Sequence, residues 1–135
     1  MDISKILDVS SSGMRAQGER MRVIAENMAN ANSTAKEPGG EPYRRKIVTF
    51  RSVLDREAGI ERVEVDRVQG DQRPFGRRFD PGHPAADASG YVLTPNVNSL
   101  IEMVDMREAQ RSYEANLSMV AVAKDMLRRT IELLN

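Results

Sequence analysis

Apolar residues recur at alternating steps of four and three at the two ends of the chain and not in between. Near the beginning, Ile3, Leu7, Ser10, Met14, Gln17, Met21, Ile24 and Met28 fall on one such stripe. In the last third a second stripe runs through Met103, Met106, Gln110, Tyr113, Leu117, Val120, Lys124, Leu127, Ile131 and Leu134. This heptad spacing belongs to helices that bury one seam against another helix. No Gly or Pro interrupts the run from Val97 to Asn135, so nothing breaks a helix there. Glu102, Asp105, Arg107, Glu108, Arg111 and Glu114 form a charged face opposite the seam. At ~1.5 Å per residue this helix would be ~55 Å long, more than a domain of this size covers, and it needs a partner.

The N-terminal helix supplies a partner of the right kind. The pair either forms the protein's own core, or its seams also pack against other chains. Both predicted helices carry boundary signals. Asn27-Met28-Ala29-Asn30-Ala31-Asn32 is suited to stopping the first, and Pro95-Asn96 followed by Asn98 or Ser99 to capping the second. Within the first helix, Ser10-Ser11-Ser12-Gly13 is a run of small, poor helix formers, with Gly alone costing roughly 1 kcal/mol against Ala. Such a run lets another backbone come close, or marks a kink.

The middle follows a different pattern. Thr34 to Pro42 is a loop by composition. Lys46–Val53 predicts a short strand, with Val48 and Phe50 on one face and Ile47 and Thr49 on the other. Glu61–Gln69 alternates more clearly, with Val63 and Val65 against Glu64 and Asp66. Gln72 to Gly90, rich in Pro and Gly, predicts an extended connection with little regular structure. The expected architecture is mainly α with a small β module: long terminal heptad helices packed as a coiled-coil-like pair, with a short β-hairpin and extended loops between them. The expected division is residues 1–32, 33–95 and 96–135, the last containing the C-terminal helix.

Composition narrows the function. The 135 residues carry 20 basic and 20 acidic side chains, so no net charge draws the chain to nucleic acid or anionic lipid. There is no Cys, which excludes disulfides and thiolate chemistry. No apolar run approaches the ~20 residues that span a bilayer. The first residues begin an amphipathic helix rather than a cleavable signal. Met14, Met21, Met28, Met103, Met106, Met119 and Met126 all lie in the terminal helices, where an adaptable side chain fills a seam or suits varied neighbours.

Catalytic chemistry is scarcely represented. His83, the single histidine, sits between Gly82 and Pro84 with only Asp80 and Asp87 near it in sequence. That does not make a metal site or a general-base pair. No phosphate-binding glycine loop or nucleophile elbow occurs. Arg44-Arg45-Lys46 and Arg77-Arg78 lack interleaved aromatics, and are expected as solvated faces or interface ion pairs. The expectation is a non-enzyme with no cofactor, no metal, no nucleic acid and no small-molecule substrate.

Two segments carry a family resemblance. Ser12-Gly13-Met14-Arg15-Ala16-Gln17, with Arg20-Met21 and Asn27 to Asn32, resembles the N-terminal signature of the bacterial flagellar axial proteins. Pro95-Asn96-Val97-Asn98, Glu102 to Met106, Ala109-Gln110-Arg111 and Tyr113-Glu114-Ala115-Asn116 resemble their C-terminal signature. Within that family the short middle, Pro42 to Lys46 and Gly90-Tyr91-Val92 look most like the proximal-rod branch of the basal-body rod proteins. Ser10 to Ser12, where Ala is commoner, departs slightly.

The resemblance implies a structural, torque-transmitting subunit of the flagellar basal body that is motility-related, exported by the flagellar type III apparatus without a cleaved signal, and assembled into a helical tube. Its implied partners are other rod proteins, copies of itself, the export apparatus and, indirectly, the MS-ring junction. The expected assembly seam is Ile3, Leu7, Met14, Met21, Ile24 and Met28 on the first helix. On the second it is Met103, Met106, Tyr113, Leu117, Val120, Leu127, Ile131 and Leu134. A cytoplasmic coiled-coil adaptor or export chaperone is the alternative from another class.

Overall fold

Both terminal heptad stretches are helices in the computed structural model, which describes residues 2–135. In chain order the elements are α1 (Ile3–Ala29), β1 (Lys46–Asp55), β2 (Ile60–Gly70), β3 (Gly76–Phe79), β4 (Tyr91–Thr94) and α2 (Ser99–Leu134). The fold is mainly helical, with β1 paired to β2 and β3 to β4 in two small antiparallel sheets. The chain divides into two compact units. One comprises Met1–Met21, Val48–Arg67 and Arg107–Asn135, and the other Arg22–Ile47 and Val68–Met106.

In the first unit the two helices run antiparallel, with Gly13 against Asn116 and Arg20 paired to Glu108 at 3.6 Å. The helical residues buried here are small: Ser10, Ser12 and Ala16 on α1, Ala109 and Ala123 on α2. A Cβ added at Gly13 would lie 2.8 Å from the Asn116 side chain, so Gly13 is what allows this approach. Of the two sequence-level explanations for Ser10–Gly13, close approach applies, because α1 continues unbroken through it. The small contact also explains where α2 departs from its predicted seam. Ala109 and Ala123 are covered, while the larger Leu117, Leu127, Ile131 and Leu134 remain exposed.

The β1–β2 hairpin belongs largely to the same unit and turns at Gly59, whose φ of 68° is left-handed. Asp55 Oδ1 accepts from the Glu57 and Ala58 N–H groups, both at 3.0 Å, and the Gly59 N–H closes on Asp55 O at 2.8 Å. Side-chain acceptance of this kind is why Asp favours turns. The hairpin is tied to α1 by Arg62, which binds Asp8 through two nitrogens and donates to Asp55 Oδ2 at 2.8 Å. The Ser12 hydroxyl donates to Val9 O at 2.7 Å and accepts the Val63 N–H at 3.3 Å. One small side chain thus satisfies a strand-edge donor that would otherwise be bare.

The second unit holds the end of α1, the start of α2 and the β3–β4 ladder. Its buried apolar residues are Val23, Ile24, Ala85 and Val92. The ladder corrects the expectation of an irregular Gln72–Gly90 connection: β3 lies inside that segment, with Arg78 opposite Val92 and Phe79 opposite Tyr91. All four β3 residues are exposed, so no apolar alternation marked the strand. Its stability comes from across the ladder, where the Phe79 and Tyr91 rings meet edge to face at 5.3 Å and Arg77 lies 4.5 Å over Tyr91. The predicted stop and start of the helices appear as capping bonds. Asn30 Nδ2 donates to Glu26 O at 2.9 Å, and Asn98 Oδ1 accepts the Leu100 N–H at 3.0 Å.

Candidate functional site

Two separated stretches converge on Glu102 of α2, which is 0% exposed. From the strap before β1, Arg45 Nε donates to its Oε1. From the end of α1, Asn27 Nδ2 donates to its Oε2 at 3.3 Å. The same guanidinium reaches Asp71 Oδ2 at 3.2 Å and Asp105 Oδ2 at 3.4 Å. A fully buried carboxylate is tolerated only when paired and hydrogen-bonded, and this one is.

Asn27 uses its whole hydrogen-bonding capacity. Besides Glu102, its Nδ2 donates to Lys46 O at 2.9 Å, while its Oδ1 accepts the Lys46 N–H at 2.9 Å and the Tyr43 hydroxyl at 2.7 Å. The amide therefore pairs with the first residue of β1 as a neighbouring strand would. Asn96 does similar work, accepting the Arg45 N–H at 2.7 Å and donating to Asp71 O and Arg73 O at 2.9 and 3.0 Å. Lys46 Nζ pairs with Glu26, and Arg44 lies 4.3 Å over the Phe75 ring.

The electrostatics follow from these contacts. The Arg73 guanidinium beside Asp71, helped by the Arg73 N–H and by Arg45, holds that carboxyl well below the usual range. Burial works against the Arg45 cation, but its bonds to Glu102 and Asp71 outweigh it and raise its pKa. Burial, reinforced by the negative charges of Glu26 and Glu102, pushes the Tyr43 phenol up to about 12. In the other unit the Arg62 hydrogen bond lowers Asp8.

Basic residues of the Arg44-Arg45-Lys46 cluster are thus not a solvated face. Glu102, expected on the exposed charged face of α2, is the most deeply buried of its large side chains. The signal was present: Asn27, Tyr43 to Lys46, Asn96, Glu102 and Asp105 all lie in the family-like segments. A residue count along one helix could not show that they meet.

The loop carboxylates and histidine are occupied with local structure. His83 Nδ1 accepts the Ala85 N–H at 2.9 Å, which leaves Nε2 to donate to Thr34 Oγ1 at 3.2 Å. Asp87 Oδ1 accepts the Ser89 and Tyr91 N–H groups at 2.9 and 3.0 Å, and Asp80 lies 3.7 Å from Arg78.

The predicted assembly residues fall into three groups. Ile24 is buried. Ile3, Leu7, Met14, Met21, Met28, Met106, Tyr113 and Val120 are half-buried. Met103, Leu117, Leu127, Ile131 and Leu134 are exposed, Leu134 to 82%. Soluble chains expose single apolar residues freely, but an apolar series along one helix marks an interaction surface.

Comparison with known proteins agrees at both ends. A family model described as "Flagella basal body rod protein" matches residues 7–35, and one described as "Flagellar basal body rod FlgEFG protein C-terminal" matches residues 88–133. Over 132 residues, 98% of the chain and 95% of the relative, the chain is 50% identical to a "Flagellar basal-body rod protein FlgC" of Agrobacterium fabrum. The chain belongs to the FlgC family. FlgC proteins of Escherichia coli and Bacillus subtilis are 40% and 41% identical; the matches cover 98% and 94% of the chain, and 98% and 95% of those relatives. Membership makes the chain a structural, non-enzymatic subunit of the flagellar basal-body rod, and displaces the cytoplasmic adaptor reading. It also locates the chain in the flagellar basal body. The FlgC-like matches contain the Arg45 node and the exposed α2 stripe alike.

Proposed function

We propose that this rod subunit works in the proximal rod, joining copies of itself and other rod proteins into a helical tube that carries motor torque. The assembly surface in this reading is the apolar seam of the terminal helices, packed coiled-coil fashion between neighbouring subunits. The middle residues, 33–95, carry the strands and loops and stay outside that packing between subunits. The observation that carries the reading is the exposure of Leu117, Leu127, Ile131 and Leu134 along α2 of a single chain. Burial of such a stripe releases roughly 25 cal/mol per Å2 of apolar surface. Heterologous, non-closing contacts, each joining one surface of a subunit to a different surface of the next, generate a helical tube. Delivery by the flagellar type III export apparatus, and an indirect connection to the MS-ring junction, complete the proposal.

Leu117→Asp and Ile131→Asp test it, because both side chains are exposed and the folded monomer can tolerate the charge. The expected outcome is an unchanged circular dichroism spectrum and melting temperature, basal bodies with rings but no rod, and loss of swimming. Normal swimming of both variants would sink the proposal. Ile24→Asp is unsuitable, since Ile24 is buried within the chain.

A further inference from the structure

Three of the four strands have edge groups covered by the chain itself. Asn27 pairs with both backbone groups of Lys46 on β1. Ser12 accepts the Val63 N–H of β2. On β4, Asp87 Oδ1 accepts the Tyr91 N–H at 3.0 Å, and the Asp87 N–H donates to Tyr91 O at 2.9 Å. Among the described residues β3 has no such cover. The Asp80 N–H bonds to Gly90 O at 2.9 Å, so in this antiparallel ladder Arg78 and Val92 are the next bonded pair. The N–H and C=O groups of Arg77 and Phe79 therefore point away from β4, to an open side. A bare edge of this kind is a template for another strand.

The side chains on that edge have a definite character. Arg77 and Phe79 share one face of the strand, and Arg78 lies on the other. Phe79 is 64% exposed although its ring meets Tyr91. From Arg73 to Phe79 the sequence holds three arginines and no acidic residue. Arg73 is already bound by Asp71. Arg77 and Arg78 have only distant carboxylates, Asp87 at 3.9 Å and Asp80 at 3.7 Å, and both side chains are at least half exposed. Exposed pairs of this kind contribute little, so both cations can turn to a closer partner.

We infer that the open edge of β3 accepts an extended acidic segment of another protein as an added antiparallel strand. Main-chain bonds at Arg77 and Phe79 attach it, and the side chains select it. The segment that fits places an apolar residue opposite Phe79 and carboxylates opposite Arg78 and Arg77, in the order apolar, acidic, acidic. A second copy of β3 does not fit, because its arginines would meet these two. The site does not use the apolar seam of the helices. It goes beyond the assembly reading, and its failure leaves that reading intact.

Amide-resolved NMR of the full chain tests it with two short synthetic peptides, Thr-Val-Glu-Glu-Thr and Thr-Val-Lys-Lys-Thr. The acidic peptide is expected to abolish the fast hydrogen exchange of the Arg77 and Phe79 amides. Arg78, bonded to Val92 with or without peptide, should not change. In Arg77→Glu/Arg78→Glu the preference should reverse, with the basic peptide protecting positions 77 and 79. No protection by the acidic peptide, or equal protection of the parent by both peptides, overturns the site. Photo-cross-linking in purified basal bodies then checks the occupant, with p-benzoylphenylalanine at position 79 replacing one aromatic by another. A cross-link mapped by mass spectrometry to an acidic extended segment of a different protein is expected. A cross-link to a second copy of the chain, to a basic segment, or none at all overturns the occupant.

Discussion

Around Arg45, charged and amide groups drawn from four stretches of chain, at Asn27, Arg45, Asp71 and Glu102 to Asp105, are packed together. Around Gly13, the two helices meet through almost nothing, a missing Cβ on one side and an Asn side chain on the other. The node is specified by pairing: Glu102 has a cation and an amide, and Asn27 has four bonds to make and makes them. The helix contact is specified by size. Pairing places particular groups opposite one another, whereas small residues set only the distance between backbones and leave the larger apolar side chains on the outside. The second arrangement leaves α2 with a surface still to be covered.

The comparison can be broken most strongly at Arg45. Arg45→Met leaves Glu102 buried without its cation, and should cost about 3–5 kcal/mol in urea denaturation. Replacing Glu102 as well, in Arg45→Met/Glu102→Met, should recover most of that loss, since an apolar pair of similar volume often substitutes for a buried ion pair. A single substitution costing below about 1 kcal/mol, the range of exposed pairs, would show that the node is not specified by pairing.

A smaller effect is expected at the helix contact. Gly13→Val should cost about 1–3 kcal/mol through overpacking against Asn116, despite better helix propensity. Combining it with Asn116→Ala should return part of the stability, a coupling of about 0.5–3 kcal/mol that distant sites do not show. Additivity of the two would mean that size does not set this contact.

The smallest effect lies at Tyr43. Tyr43→Phe removes one of the two bonds accepted by Asn27 Oδ1 and should cost about 0.5–1.5 kcal/mol at neutral pH. The folded phenol titrates at about 12, above the ordinary tyrosine value of about 10. The folded chain therefore holds this proton more tightly than the unfolded chain. Its contribution is fully present below pH of about 10 and falls as pH rises toward 12. Absorbance at 295 nm should show a component near pH 12 that Tyr43→Phe lacks. The same component persisting in the variant would assign it elsewhere.

The helices and the first hairpin were legible because their signals are local. Heptad spacing, the unbroken stretch after Val97, the Asn residues at the helix boundaries and the alternation of Glu61–Gln69 each act within a few residues. The β3–β4 ladder was not legible, since Gly76–Phe79 is exposed on every residue and its stability comes from Tyr91 across the ladder. Glu102 illustrates the same limit on a helix. By position it belongs to a charged face, and only the arrival of Arg45 and Asn27 from elsewhere makes its burial tolerable.

From its sequence alone, then, this chain was determined to have two long helices with apolar seams, a small β middle and no constellation for catalysis. Periodicity and composition act through local backbone preference and are written residue by residue. Tertiary structure decided which part of each seam is used at home. Small residues at Gly13, Ala16, Ala109 and Ala123 let the helices meet closely, and the distance between two backbones depends on both at once. The apolar residues left over on α2 follow from that meeting, and neither helix states them separately.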